Sequence, residues 1–175
     1  MRKLLNAAFF QTVWWACVAG AGRGWELLAV SYGAALACIH LFYTEHPLKE
    51  LKLAARVMLM GIVVDSTLQY FSIIEFYGWA LGPLSPFWLW LLWAWFAMTL
   101  NSSLAFLKST PWMIAALAGL LLGPINYYAG ATMGAASFDS SLAHVAAIGL
   151  MWAIALPTMV FMAGNTSLLR SSGQA

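Results

Sequence analysis

The chain has 175 residues, 63% of them hydrophobic and 8% charged, with a mean hydropathy of +0.81. Soluble domains carry roughly 25% charge, so six Asp plus Glu and eight Lys plus Arg exclude a water-soluble globule and make lipid the solvent. A spanning helix needs about 20 apolar residues, which admits six or seven crossings and leaves 1–175 as a single integral membrane domain. Six apolar stretches separate at charged or Gly/Pro-rich points, at about 4–22, 25–44, 55–75, 86–107, 111–134 and 142–164. They are continuous, not alternating as barrel strands are. The fold class expected is all-α: a polytopic membrane protein, one bundle of six transmembrane helices.

The first stretch opens on Arg2 and Lys3 and carries Asn6, Gln11, Trp14 and Trp15. Its basic start, apolar run and Ala19-Gly20-Ala21 imitate a secretory leader with a small-residue cleavage site, but Asn6, Gln11 and the Trp pair suit a retained helix better. The second stretch begins at Trp25-Glu26 and reaches His40. Thr44 to Arg56, with Glu45, His46, Pro47, Lys49, Glu50 and Lys52, reads as a headgroup-level turn leading into the third stretch. There Asp65 falls near the bilayer midplane, where insertion scales put a carboxylate at roughly 2.5–3.5 kcal/mol. Gly61 lies one turn before it and Gln69 one turn after, so the three make a stripe facing the bundle interior. Trp79, Trp88, Trp90, Trp93 and Trp95 crowd the outer half of the fourth stretch and the loop before it, as an aromatic belt or a wall for a flat or acyl ligand. Asn101, toward the cytoplasmic side, joins Asn6, Gln11 and His40 in a second polar group able to bond between helices. In the fifth stretch Gly123-Pro124 interrupts the hydrogen-bond ladder and Asn126 follows within a turn. The carbonyl that Pro124 frees either faces a ligand or marks a packing kink. Gly119 with Gly123, and Gly130 with Gly134, are spaced for close helix contact. Pro157-Thr158 bends or hinges the sixth.

Placing the N-terminus in the cytoplasm puts Arg2, Lys3, Lys49, Lys52, Arg56, Lys108 and Arg170 on that side and only Arg23 on the other. Both termini are therefore expected to be cytoplasmic. Cys17 and Cys38 differ in depth by roughly 10 Å, too far for a disulfide, and both read as small buried apolar residues. His40 near the cytoplasmic face, His46 in the loop beyond it and His144 at the outer face cannot share one metal. Cys-x-x-Cys, a Gly-rich phosphate loop and Gly-x-Ser-x-Gly are all missing from the sequence. Neither a metal nor a cofactor is expected.

Four segments carry a resemblance that runs nearly the whole chain: the Asn6…Phe10-Gln11…Trp14-Trp15…Gly20-Ala21 start; Gly61-Ile62-Val63-Val64-Asp65-Ser66-Thr67-Leu68-Gln69; Phe96-Ala97-Met98-Thr99-Leu100-Asn101-Ser102-Ser103-Leu104; and Gly123-Pro124…Tyr127…Gly130. They resemble a family of small bacterial inner-membrane proteins grouped as a domain of unknown function. The resemblance implies a multi-pass protein of the bacterial inner membrane. Such proteins are encoded near lipid-modifying enzymes, including methyltransferases resembling cyclopropane fatty-acid synthases, which implies a place near lipid metabolism or envelope stress and assigns no activity. Length and span count are also similar to the substrate-binding membrane subunits of vitamin uptake transporters. Ala16, Ala19 and Gly20 only approach the small-residue stripe with which those subunits dock a partner, and fold analogy does not settle function.

The leading expectation is a binding or transport-type protein holding a small or lipid-derived molecule among the first, third, fourth and fifth helices. Asp65 is its charged or proton-accepting group, Gln69 and Asn126 are the hydrogen-bonding neighbours, Tyr127 joins them from the fifth-helix motif, and Gln11, Trp14 and Asn101 form a cytoplasmic wall. Glu26 and Glu75 either line an outer mouth or are plain interface carboxylates. One alternative is a membrane enzyme or accessory subunit in acyl-lipid modification with Asp65 as general acid or base; another is a scaffold without a ligand. The partners expected are membrane lipid, a small-molecule or acyl ligand and a protein partner in the membrane, with no nucleic acid.

Overall fold

A computed structural model describes residues 2–168. The order is α1 (Arg2–Ala21), α2 (Glu26–Tyr43), α3 (Pro47–Tyr70), β1 (Glu75–Phe76), α4 (Phe87–Leu100), a 3-10 helix (Ala105–Ser109), α5 (Trp112–Thr132), β2 (Ala136–Ser137) and α6 (Leu142–Leu168). The architecture is all-helical apart from one antiparallel ribbon, in which Glu75 pairs with Ser137 and Phe76 with Ala136. Four helices, α1, α2, α5 and α6, are long and apolar enough to cross a membrane. α4 is apolar but only 14 residues long; α3 has 24 residues, with Lys49, Glu50, Lys52, Arg56 and Asp65 diluting its hydropathy. Arg170, one of the basic residues used to orient the chain, lies outside the described residues.

α4 is apolar on every side, as a helix wrapped by protein must be. It packs against α1, α2, α3 and α6, and Trp88, Leu92, Trp93, Trp95, Ala97 and Leu100 are buried along it. Around this axis successive helices pair: α1 with α2, α3 with α4, α5 with α6. A buried indole N–H needs an acceptor, and on α4 Trp88 Nε1 donates to the Tyr77 carbonyl at 2.8 Å and Trp95 Nε1 to the Gly33 carbonyl at 2.9 Å. Trp88, Trp93 and Trp95 are thus core residues, not a belt; Trp79 alone of the five is exposed.

Three boundaries, both ends of α3 and the end of α4, depart most from the expected spans. α3 starts at Pro47, whose fixed φ and missing N–H suit a first helical turn, so in the segment expected to be a turn and helix entry the turn is only Thr44 to His46 and the rest is helix. It ends at Tyr70, short of 75, because Ser72 adopts φ +55° and the next residues pair in the ribbon. α4 stops at Leu100 and does not continue to 107. There the Asn6 side chain crosses from α1: its Oδ1 accepts from Ser103 N at 3.3 Å and Ser103 Oγ at 2.7 Å, and its Nδ2 donates to the Met98 carbonyl at 3.4 Å. These bonds serve backbone groups that the helix end leaves free.

The glycine pairs separate into two kinds. A methyl group at Gly119 would strike the Trp152 carbonyl, and one at Gly123 would strike the Trp152 ring, so this pair does set a close α5–α6 crossing. Gly130 meets nothing within 4 Å, and Gly134 lies in a turn at φ +84°; that pair makes no helix contact of the expected kind. Gly22, in the α1–α2 turn, lies against Met133 and Gly134, which puts this turn and the ribbon at one end of the bundle. The 3-10 helix and the start of α3 lie at the other. Cys17 is buried as expected, whereas Cys38 is exposed on α2.

Candidate functional site

Asp65 is fully buried, with 0% exposure. Its Oδ2 accepts from Trp93 Nε1 at 2.7 Å and its Oδ1 from the Tyr127 hydroxyl at 2.5 Å. Among the described residues no cation faces it. Gly61, one turn earlier on α3, explains how a ring as large as indole gets there: a Cβ at that position would overlap Trp93. Trp93 in turn stacks on Trp152 of α6, with ring centroids 4.9 Å apart and planes 11° from parallel. Tyr127 packs against Phe76 at 5.8 Å and Trp152 at 6.4 Å. One carboxylate therefore fixes an aromatic cluster drawn from α4, α5 and α6.

That cluster is the wall of a groove of about 370 Å³, a volume within the range of small-molecule sites. α1 supplies Phe10, Trp14 and Val18; α4 supplies Trp88, Leu92, Trp93 and Phe96; α5 lines it from Ile114 to Gly130. α1 packs on α2 and α4 while α5 packs on α6, and the groove is the space between α1 and α5 with α4 behind. Its rim residues Phe106, Ile114, Leu122 and Asn126 are exposed. From Ile114 to Gly130 the α5 wall runs about 24 Å. Apart from Asn126, the Tyr127 hydroxyl and indole nitrogens, the lining side chains are apolar.

The expected residues do not all gather here. Asp65 stands behind the wall, not on its surface, and lies five residues from the end of α3 at Tyr70, about 7.5 Å along the axis, instead of at mid-helix. Asn126 is not its hydrogen-bonding neighbour. Buried positions on α5 are Ala115, Gly119, Gly123, Tyr127 and Gly130; Asn126 is a step of about 100° off that face, and its Nδ2 donates to the Leu122 carbonyl at 2.8 Å. Tyr127 takes the role. The carbonyl freed by Pro124, that of Leu120, faces Gly149 across the α5–α6 contact, so the kink serves packing. Gln69 leaves the stripe: it borders a separate polar depression with Ser72, Glu75, Ser137 and Asp139 at the ribbon end.

On the opposite side Trp14 lines the groove, but Gln11 is exposed on α1 and Asn101 belongs elsewhere. Lys108 Nζ donates to Asn101 Oδ1 at 2.9 Å, next to Glu50. Burial pushes the Glu50 carboxyl above its ordinary value, with Asn101 and Lys108 opposing; burial lowers Lys108, opposed by Glu50. Glu26 and Glu75 form no common mouth. Glu75 is exposed on β1, whereas Glu26 is 5% exposed and its Oε2 accepts from Trp79 N at 2.6 Å, tying α2 to the loop before α4. Nothing in the sequence marks Trp152 as part of the site, and Trp93 reads there as one of five in a belt or a ligand wall, not as the partner of Asp65. The available signal for Trp93 was Gly61, a small residue one turn from a buried acid.

A family model described as a protein of unknown function, DUF2878, matches residues 3–158, and the chain belongs to that family. The match takes in Asp65 and every residue that lines the groove. No curated protein and no solved structure matches the chain.

Proposed function

From this family membership and the groove, we propose that the protein is a polytopic membrane protein that holds the aliphatic chain of a lipid-derived molecule between α1 and α5. All six helices cross the bilayer of a bacterial inner membrane, with both termini and the 3-10 helix on the cytoplasmic side and the ribbon outside. α4, at 14 residues about 21 Å, is shorter than the roughly 30 Å hydrocarbon core and crosses with the help of the flanking turns inside its sleeve of helices. Asp65 acts through others: its two acceptors fix Trp93 and Tyr127 as a rigid wall.

The observation that carries this reading is the apolar groove itself, whose exposed rim gives it a lateral opening. An aliphatic chain moving from lipid into such a slot exchanges one apolar surrounding for another, so close van der Waals contact with a fixed aromatic wall supplies the preference. Mass spectrometry of lipids retained after purification in mild detergent tests it. The wild-type protein retains acyl lipid, and Ala118→Trp, which fills the groove from α5, retains several-fold less while keeping its melting temperature. Equal retention by both proteins sinks the proposal.

A second reading has one observation in its favour, the Tyr127 hydroxyl bonded to Asp65 at the groove wall, a pair suited to acid–base chemistry on a bound acyl lipid. Altered acyl structures in the lipids of a deletion strain support it, and unchanged lipids remove it.

A further inference from the structure

We infer that the groove's ligand is a cationic amphiphile, with an ammonium head seated against the aromatic wall in front of Asp65 and its tail running along α5 toward Ile114. The inference rests on the groove being a ligand site. Its first support is charge. Both Asp65 oxygens accept hydrogen bonds from neutral donors, the arrangement an ionised carboxylate offers, and among the described residues no cation faces it. A carboxyl group buried without a counter-ion favours a positive charge close by, which holds it ionised, and the low dielectric of the surroundings strengthens that attraction. Among the described residues lining the groove there is no Lys, Arg or His, so an anionic head finds no partner in them.

The second support is the wall between the carboxylate and the groove. Trp88, Trp93, Phe96, Tyr127 and Trp152 all line this part, and aromatic faces attract ammonium groups, quaternary ones above all, through their quadrupoles. Donation of the Trp93 N–H and the Tyr127 O–H to Asp65 moves electron density into those two rings and strengthens the effect. Third, polarity runs along the groove in one direction. Asn126 and Tyr127 lie toward the ribbon end, and because the Asn126 amide nitrogen is used on Leu122, its oxygen is left to accept. Leu104, Leu107, Ile114 and Ala118 at the opposite end are apolar. The thirteen residue steps from Ile114 to Tyr127 span about 20 Å, room for an extended tail.

The test uses the full-length protein in lipid nanodiscs and three bromine-tailed probes of equal chain length: an alkyltrimethylammonium, an alkanol and an alkanoate. Quenching of tryptophan fluorescence by the bromine is corrected for partitioning with protein-free nanodiscs. The ammonium probe is expected to bind roughly tenfold tighter than the alkanol, with the alkanoate weakest, and Asp65→Asn should bring the ammonium probe to within about twofold of the alkanol. Equal binding of ammonium and alkanol by the wild-type protein overturns the inference while leaving the groove as a chain-binding site. Quenching by none of the three overturns both. The wild-type comparison needs no variant, so it decides the matter even where Asp65→Asn proves unstable.

Discussion

Asp65 owes its position to two donors and one glycine, and substitution separates what each contributes. In Asp65→Ala the Trp93 N–H and the Tyr127 O–H lose their acceptors inside the bundle, at about 1–3 kcal/mol for each buried donor left unpaired. Asp65→Asn keeps a carbonyl for one donor and turns an amide N–H₂ toward the other. Thermal unfolding in detergent should therefore rank wild type above Asn and Asn above Ala; an Ala variant melting with wild type would mean that the two bonds do not hold the wall. The acid itself was legible, since a lone carboxylate in an apolar run must face inward. Its partners were not. Asn126 was the natural polar candidate on the fifth helix, yet the buried face of α5 is set by the four-residue rhythm from Ala115 to Tyr127, and a phenol on that face outranks an amide beside it. Composition offers nothing to say that an indole will be the second donor, because Trp is as much at home in an interfacial belt as in a core.

Among the elements, α5 and α6 meet through backbone, and α5 meets the groove through a bare glycine. Gly119→Ala would place its Cβ against the Trp152 carbonyl and the Ala153 nitrogen; neither is the end of a flexible side chain, so the helices must part, at about 1–3 kcal/mol for overpacking. Gly130→Ala meets nothing within 4 Å, and Ala is the better helix former by up to about 1 kcal/mol. The expected outcome is a lower melting temperature for the first variant and an equal or higher one for the second; the reverse order would contradict the packing described for this pair of helices. The sequence spacing treats Gly119/Gly123 and Gly130/Gly134 alike, and only the direction each face takes in the fold tells them apart. For the same reason the ends of α1, α2 and α5 and the start of α4 are predictable from apolar length to within one or two residues, while both ends of α3 and the last turn of α4 are not. α3 is extended by a proline that suits its first turn and is cut by the ribbon. α4 is stopped by Asn6, a residue 92 positions from the Met98 carbonyl it bonds, and no local pattern reports a partner so distant.

At the scale of the whole molecule the groove and the charge distribution fix a direction. Lys49, Lys52, Arg56 and Lys108 lie toward the end with the 3-10 helix, whereas the ribbon end holds Arg23, the α1–α2 turn and the acidic pair Glu75 and Asp139. In the proposed orientation, which keeps basic residues on the cytoplasmic side of the bilayer, the aromatic, Asp65-backed end of the groove faces the outer leaflet and its apolar end the inner one. An amphiphile entering sideways between α1 and α5 would then keep its head near the outer interface and its tail in hydrocarbon, the same order that lipid itself adopts. Cysteine labelling in spheroplasts measures this directly. With Cys38, the exposed native thiol, replaced by Ser, Ser140→Cys beside the ribbon and Ser109→Cys at the end of the 3-10 helix each place a thiol at an exposed position. A membrane-impermeant maleimide should modify Ser140→Cys in intact spheroplasts and Ser109→Cys only after lysis. Labelling of Ser109→Cys before lysis would invert the bundle and send the groove's polar end to the cytoplasmic leaflet; labelling of both without lysis would mean that α5 does not separate two compartments.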